Sequence, residues 1–418
     1  MKYDCFSFGE GAPGIEPPQF LEQELVRGVR QGFNQYVRPS GNLMLVKQIA
    51  NIYGQKLKRE INPMTEIMVS NGANASLFIL MQALVNKGEE VVVFEPYFPP
   101  YLEHIEYAQG VVKTCPLEMN DQGKYVFNPD LFRKALSKKT KVLILNNCHN
   151  PTGKIFTREE LEIISDILDK EFPDVYVISD EVYEFLNFES QPYNYFANIR
   201  NNFRKTFSVF SGGKLFCATG WKVGWTIAPA DILKPAHLIS NTVYYGFNSP
   251  GQYAVARSLT TAQQPDFYEG GLNYIESLQY QFKATRDYLY DQLQNHSDIP
   301  FKCILPQSGY FMMIDISKTK SMIPEKYLQS HDYEEDLDSK LNRNKVYMPN
   351  GKIPLDLAFS RWLALERGII SMPGSLFYHI DSQYKNDNYV RFAICRGMDK
   401  TQAGIKRLQQ GLRAIRKI

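Results

Sequence analysis

Two rhythms of apolar residues run through the 418-residue chain. One is the three-to-four-residue spacing of a helix with a buried stripe, which predicts helices over Leu43–Leu57, Ala75–Val85 and Arg158–Asp169. The other is the short unbroken run of a strand covered on both faces. Glu90–Phe94 is such a run, and Glu95-Pro96 ends it. Three more runs follow at spacings of roughly 30 residues, over Val142–Leu145, Val175–Ile178 and Thr206–Phe210, about the length that a strand, a crossover and a parallel strand require. The first crossover contains the helix over Arg158–Asp169; the second is less clearly helical. Helical periodicity dominates 227–296. Phe311–Ile314, Gly368–Ser371 and Tyr389–Ile394 read as strands of a smaller second layer. Residues 1–40, broken by Gly9, Gly11, Pro13, Gly14, Pro17 and Pro18, read as an irregular arm, and 317–355 as a charged surface excursion.

The pattern predicts an α/β fold. A large domain over 41–296 carries a mostly parallel sheet flanked by helices. A smaller α+β domain over 297–418 is completed by the arm, 1–40, so that it combines both chain ends.

Composition narrows the function. Charged residues are 22% and the net charge is +2, which removes the bulk-charge drive for binding nucleic acid or a membrane surface. No run approaches the roughly 20 apolar residues of a membrane span. Met1–Phe6 shows no signal-peptide h-region, so a cytoplasmic location is the expectation, with a mitochondrial one left open. Cys5, Cys115, Cys148, Cys217, Cys303 and Cys395 are too scattered for a Cys-x-x-Cys site and read as free thiols. The six histidines lack ligand spacing, so no metal is expected.

Two motifs mislead. Gly9-Glu10-Gly11-Ala12-Pro13-Gly14 matches the dinucleotide fingerprint GxGxxG, but Pro13, Pro17 and Pro18 forbid a helix starting at the loop. Ser211-Gly212-Gly213-Lys214 resembles half a P-loop, yet Leu215 stands where a hydroxyl residue should follow the lysine, and Ser208 where the first glycine should be.

The three middle strands end in polar residues, and ligands of open α/β sheets sit outside the carboxyl ends of strands. The ends are Asn146-Asn147-Cys148-His149-Asn150-Pro151-Thr152-Gly153, Ser179-Asp180-Glu181-Val182-Tyr183 and Ser211-Gly212-Gly213-Lys214. A lysine amine can form an imine with an aldehyde. A carboxylate can keep a pyridine nitrogen protonated, making the ring an electron sink. Tyrosine and asparagine can hydrogen-bond a phenolate oxygen. A serine and a second lysine, Lys222, suit a phosphate, and so does the start of the helix following Ser70-Asn71-Gly72-Ala73-Asn74.

These residues resemble the class I (fold type I) pyridoxal-phosphate-dependent aminotransferases, and most closely the kynurenine–oxoglutarate transaminase group, known also as glutamine transaminase K and cysteine-S-conjugate β-lyase. The matching stretches are Gly9–Pro18, Asn34-Gln35-Tyr36, Asn71–Phe78, Glu95–Phe98, Asn150–Lys154, Ser179–Tyr183, Ser211–Trp225, Pro306–Phe311 and Val390-Arg391-Phe392; Lys214–Trp225 (KLFCATGWKVGW) is the most specific. The resemblance implies pyridoxal 5′-phosphate as cofactor, an L-amino acid and a 2-oxo acid as substrates, and a homodimer. It implies that Lys214 is the Schiff-base lysine and Asp180 the partner of the ring nitrogen. Asn150 and Tyr183 would hold the ring oxygen, and Phe98 would stack on the ring. Ser211, Lys222 and the backbone at Ala73 and Asn74 would hold the phosphate. Tyr36 would reach the phosphate of the neighbouring subunit, Arg391 would grip the α-carboxylate, and Gly11 would line the substrate site. The chain departs from the family in having Ala73 and Asn74 where glycine and tyrosine are usual, and Tyr244-Tyr245 where relatives carry partner-facing aromatic and His residues.

Plainer roles stand beside these: a helix cap for Asp180, a turn for Asn150, a surface ion pair for Arg391, packing for Phe98, Tyr244 and Tyr245. Without a recognised second arginine, and with Phe98, Tyr101, Tyr244 and Tyr245 available, the expected donors are neutral, bulky or aromatic: kynurenine, glutamine, phenylalanine or methionine. Cysteine-S-conjugate β-lysis is an expected side activity. A dedicated β-lyase, an aminocyclopropane-carboxylate synthase-like lyase, or an inactive binding module on the same scaffold are the alternatives.

Overall fold

The structure is a computed structural model that describes residues 5–265, 268–328 and 353–411. Its centre is a seven-stranded mixed sheet made of β1 (Ile67–Ser70), β2 (Glu90–Glu95), β3 (Val111–Pro116), β4 (Thr140–Asn146), β5 (Tyr176–Asp180), β6 (Thr206–Ser211) and β7 (Gly224–Ile227). The order across the sheet is β1-β7-β6-β5-β4-β2-β3; β7 is antiparallel to both neighbours and the remaining pairings are parallel. Strand side chains alternate between faces, so each unbroken apolar run feeds two cores. Val91, Val93, Val142, Ile144 and Ile178 enter one core with Leu77, Leu80, Met81 and Leu84 of the helix Ala73–Leu84. Val92, Phe94, Leu143, Leu145 and Val177 enter another with Leu161, Ile164 and Leu168 of the helix Arg158–Glu171. That second helix begins with a capping box between Thr157 and Glu160. The connection from β5 to β6 carries two 3-10 turns, Phe196–Asn198 and Asn202–Lys205, in place of an α-helix.

A smaller antiparallel sheet lies apart, with Lys302–Ile304, Phe311–Asp315, Tyr389–Ala393 and Met372–Pro373 in that order. The chain's first described residues run against it. Phe8 accepts a bond from the Ala393 amide at 2.6 Å and stacks on Phe392 at 5.2 Å.

Two expectations change. The stretch 1–40 is not wholly irregular, because Gln19–Arg30 forms a helix. Pro18 at its N-cap carries no helical hydrogen bond to lose, so the prolines set the start of this helix and do not exclude it. Gly28 lets it press on Tyr253, whose Cδ1 would lie 2.9 Å from an added Cβ. Gly368–Ser371 is not one strand of the smaller layer. Gly368, at φ 68°, caps the preceding helical turn; Ile369–Ile370 pairs with Phe6–Ser7, and Met372–Pro373 with Tyr389–Ala393. Of the excursion at 317–355, residues 329–352 lie outside the described residues, as do 1–4 and 412–418.

Candidate functional site

A cavity of about 480 Å³ opens at the carboxyl ends of β1, β2, β4, β5 and β6 and is closed on the other side by Gly9–Ala12, Phe311, Met372 and Arg391. Its volume falls in the range of small-molecule sites. Lys214, Asp180, Tyr183, Ala73, Asn74, Phe98, Asn150, Ser211, Lys222, Gly11 and Arg391 all line it.

Lys214 sits on the one-turn helix Gly212–Leu215 that follows β6, capped by the Ser211 hydroxyl, which accepts from the Lys214 amide at 3.1 Å. That hydroxyl keeps its own proton free to donate. The Lys214 Nζ donates to the Gly11 carbonyl at 2.9 Å and lies 4.8 Å from the Tyr310 ring and 5.3 Å from that of Tyr183. Burial of the amine pushes its pKa down to about 8.

Asp180 ends β5 fully buried, and desolvation pushes its carboxyl up to about 6. The Tyr101 hydroxyl opposes that rise by donating to Oδ2 at 2.5 Å, and the Val182 amide approaches Oδ1 at 3.4 Å. Glu181, the next residue, points elsewhere and bonds to Ser179 and Tyr193. Behind Asp180, the Asn146 amide donates to its carbonyl at 3.1 Å, while Asn146 Oδ1 accepts from the Asn150 amide at 2.7 Å.

Arg391 is the most informative side chain. It is 6% exposed and lies 3.7 Å over the Phe311 ring. Nη1 donates to Asn150 Oδ1 at 3.0 Å and Nη2 to the Gly9 carbonyl at 2.8 Å, while Nε is buried without a partner. Burial lowers its pKa to about 10. Among the described residues no carboxylate pairs with it. A buried cation with neutral partners only is costly unless an anion arrives.

A second anion cradle lies at the start of the helix Ala73–Leu84. Gly72, at φ 83°, supplies no capping side chain, so the first helical amides face the pocket. Lys222, held in the left-handed region at φ 54°, brings Nζ to 3.2 Å from where a Cβ on Gly72 would stand. Gly224 permits this close approach, since its Cβ would be 2.5 Å from the Ala73 nitrogen.

Tyr36 does not line the cavity of its own chain. It is 78% exposed and meets Tyr245 edge-on at 5.2 Å. Tyr244 and Tyr245 are likewise absent from the lining. Tyr101 lines it with its hydroxyl committed to Asp180, which the sequence reading had placed only among substrate-facing aromatics. Asn146, Phe311 and Met372 were missed as lining residues. Asn146 carried a signal, as the last residue of its strand; Met372 carried none, being placed by the fold-back of the smaller sheet.

The arrangement can hold a phosphate at one end and a carboxylate at the other, with a basic amine between them and an acid beneath. A family model, "Aminotransferase class I and II", matches residues 3–402. The kynurenine–oxoglutarate transaminase of Dictyostelium discoideum is 34% identical over 95% of this chain and 88% of its own length. Kynurenine–oxoglutarate transaminase 1 of Homo sapiens is 29% identical over 98% and 93%. Among solved structures, Bna3p of Saccharomyces cerevisiae superposes with a TM-score of 0.83 at 29% identity, covering 97% of this chain and 91% of that one. YbdL of Escherichia coli, identified as having a methionine aminotransferase function, gives 0.81 at 25%, covering 98% and 94%.

Proposed function

The chain belongs to the class I and II aminotransferase family and is a pyridoxal-phosphate-dependent transaminase, and we propose that its amino donors carry neutral, bulky or aromatic side chains, such as kynurenine, glutamine, phenylalanine and methionine. The observation that carries this reading is the pocket's inventory of cations. Among the described residues, Lys214, Lys222 and Arg391 are the only lysines or arginines in the lining, and Phe98, Phe311, Leu77, Val182 and Met372 supply its apolar wall. Once a phosphate takes Lys222 and an α-carboxylate takes Arg391, no arginine is left for a second carboxylate.

The residues fit the cofactor: the helix start at Ala73 faces the pocket uncapped, and Arg391 is a buried cation lacking an anion. When bound, pyridoxal phosphate supplies an aldehyde that exchanges with the donor's amine and a ring that draws electrons from Cα. We assign Lys214 to the covalent link, Asp180 to the ring nitrogen, Asn150 and Tyr183 to the ring oxygen, and Phe98 to the ring face. Ser211, Lys222 and the Ala73 and Asn74 amides take the phosphate. Arg391, beside Asn150 and Gly11, orients the substrate through its α-carboxylate. The Lys214 amine, lowered to about 8, then carries the proton from Cα. Because the amino group leaves one substrate before the other binds, the kinetics are ping-pong. The same proton abstraction supports β-elimination when the donor carries a β-leaving group.

The proposal extends to a homodimer in which Tyr36, exposed and absent from the lining of its own pocket, serves the neighbouring one. It extends also to a cytoplasmic setting, with which six unpaired cysteines agree.

Borohydride reduction of the native protein followed by peptide mapping tests the core of the assignment. The tag is expected on Lys214, and a tag on another residue overturns it. Bleaching of the visible cofactor band by single amino acids tests the donor class. Aspartate preferred by a wide margin would overturn that part.

A further inference from the structure

Among the described residues, five charged side chains line the cavity: Glu10, Asp180, Lys214, Lys222 and Arg391. Four have tasks in the reaction above; Glu10 has none. We propose that Glu10 is a specificity-determining residue, selecting substrates whose side chain presents an N–H donor or a positive charge and disfavouring those that end in a carboxylate. This rests on the transaminase reading of the pocket.

Its position follows from its neighbours. The Gly9 carbonyl accepts from Arg391 at 2.8 Å and the Gly11 carbonyl from Lys214 at 2.9 Å. Residues 9–11 therefore span the gap between the guanidinium that takes an α-carboxylate and the amine that acts at Cα. A substrate held by those two groups lies in the cavity whose wall includes Glu10. The strip is pressed into the wall: a Cβ on Gly11 would stand 2.5 Å from Phe311 Cζ, and one on Gly9 3.5 Å from the Ser371 backbone. Three lining residues are exposed: Glu10, Asn74 and Lys222. Asn74 and Lys222 flank Gly72 at the phosphate cradle, which leaves Glu10 as the exposed group beside Arg391 and Lys214.

The carboxylate is also uncommitted. Among the described residues it makes no ion pair and no side-chain hydrogen bond. Four cations bond to the backbone of the strip: Arg391 to Gly9, Lys214 to Gly11, Arg396 to Ala12 and Lys400 to Gly14. Phe311 and Met372, which line the same cavity, are apolar. A neutral glutamine at this position would offer both a donor and an acceptor and discriminate little. A fixed negative charge repels a substrate carboxylate and accepts from an amide, aniline or ammonium group.

Glutamine and glutamate are nearly identical in shape and differ in side-chain charge, which makes them the natural probe. The experiment compares the ratio of their kcat/KM values in the holoenzyme, in Glu10→Gln and in Glu10→Lys. The glutamine-to-glutamate ratio is expected to fall up to about fivefold in the first variant and further in the second, the size of one unit charge in an exposed site. The phenylalanine-to-leucine ratio, which carries no charge difference, reports any general damage. Added salt should shrink the wild-type preference and leave Glu10→Gln little changed. Calorimetry with the unreactive pair glutarate and glutaramate gives a readout independent of turnover: weaker binding of glutarate by the wild type, relieved in both variants, supports the assignment. A glutamine-to-glutamate ratio and a glutarate-to-glutaramate ratio that both variants leave unaltered would overturn it. A wild type that converts neither amino acid yet discriminates between the two analogues would overturn the reaction and leave the charge selection standing.

Discussion

Replacing Asp180 by Asn should make the cofactor-free protein more stable at pH 8 while disabling it as a catalyst. Asp180 is buried with hydrogen-bond donors but no cation in contact, and its carboxyl sits at about 6 against an ordinary 3.8. Between those values the folded chain binds more protons than the unfolded one. Stability therefore falls as pH rises through that window, and the penalty is complete above it. At about 1.36 kcal/mol per pH unit, the gap sets a ceiling of about 3 kcal/mol. An asparagine oxygen can still accept from Tyr101, so much of that amount is recoverable. A chain of 418 residues has an unfolding entropy of roughly 0.9 kcal/mol per kelvin, which converts the gain to about 2–3 °C. The assay is thermal unfolding of the stripped protein at pH 4.5 and pH 8, with and without the substitution. The variant should melt higher at pH 8, and its advantage should shrink by pH 4.5. With cofactor added, the order should reverse, because only a carboxylate holds the ring nitrogen protonated, and turnover should drop by roughly 10²–10³-fold. A variant that melts lower at pH 8, or a difference independent of pH, would show that the Asp180 charge is not strained in the empty site.

Arg391→Lys keeps the charge but loses the planar fork, so KM should rise about 10–100-fold for every donor while the cofactor's absorbance stays unchanged; a loss confined to kcat, seen in steady-state kinetics, would place Arg391 elsewhere in the cycle. Gly11→Ala forces the Phe311 ring away from its 2.5 Å clash, and that ring supports Arg391 at 3.7 Å. About a tenfold loss in kcat/KM is expected, partly restored by adding Phe311→Leu. Equal losses in the single and double variants would mean that the two positions do not communicate.

Much of the site was legible because its residues sit at strand ends. A buried strand in a parallel sheet reads as an unbroken apolar run, and the polar residue that closes it must lie at the sheet's carboxyl edge. Asn150, Asp180, Ser211 and Lys214 could be identified in that way. The glycine-rich strip at Gly9–Gly14 is followed by no helix before Gln19, so it is not a loop that opens a helix, and family resemblance gave Gly11 a task. The helix Gln19–Arg30 was hidden by the prolines ahead of it, since a proline before a helix and one that breaks a helix look alike along the chain.

Local sequence thus determined four of the seven strands of the central sheet and the polar side chains that end three of them, because a strand covered on both faces is an unbroken apolar run; Ile67–Ser70, Val111–Pro116 and the antiparallel Gly224–Ile227 carry no such mark. Only the tertiary structure decided that Tyr101 braces Asp180, that Arg391 is buried without an anion, and that Glu10 lines the same cavity. Each of those depends on residues 79, 241 or more than 380 positions apart in sequence coming within hydrogen-bond reach, and no local period records such distances.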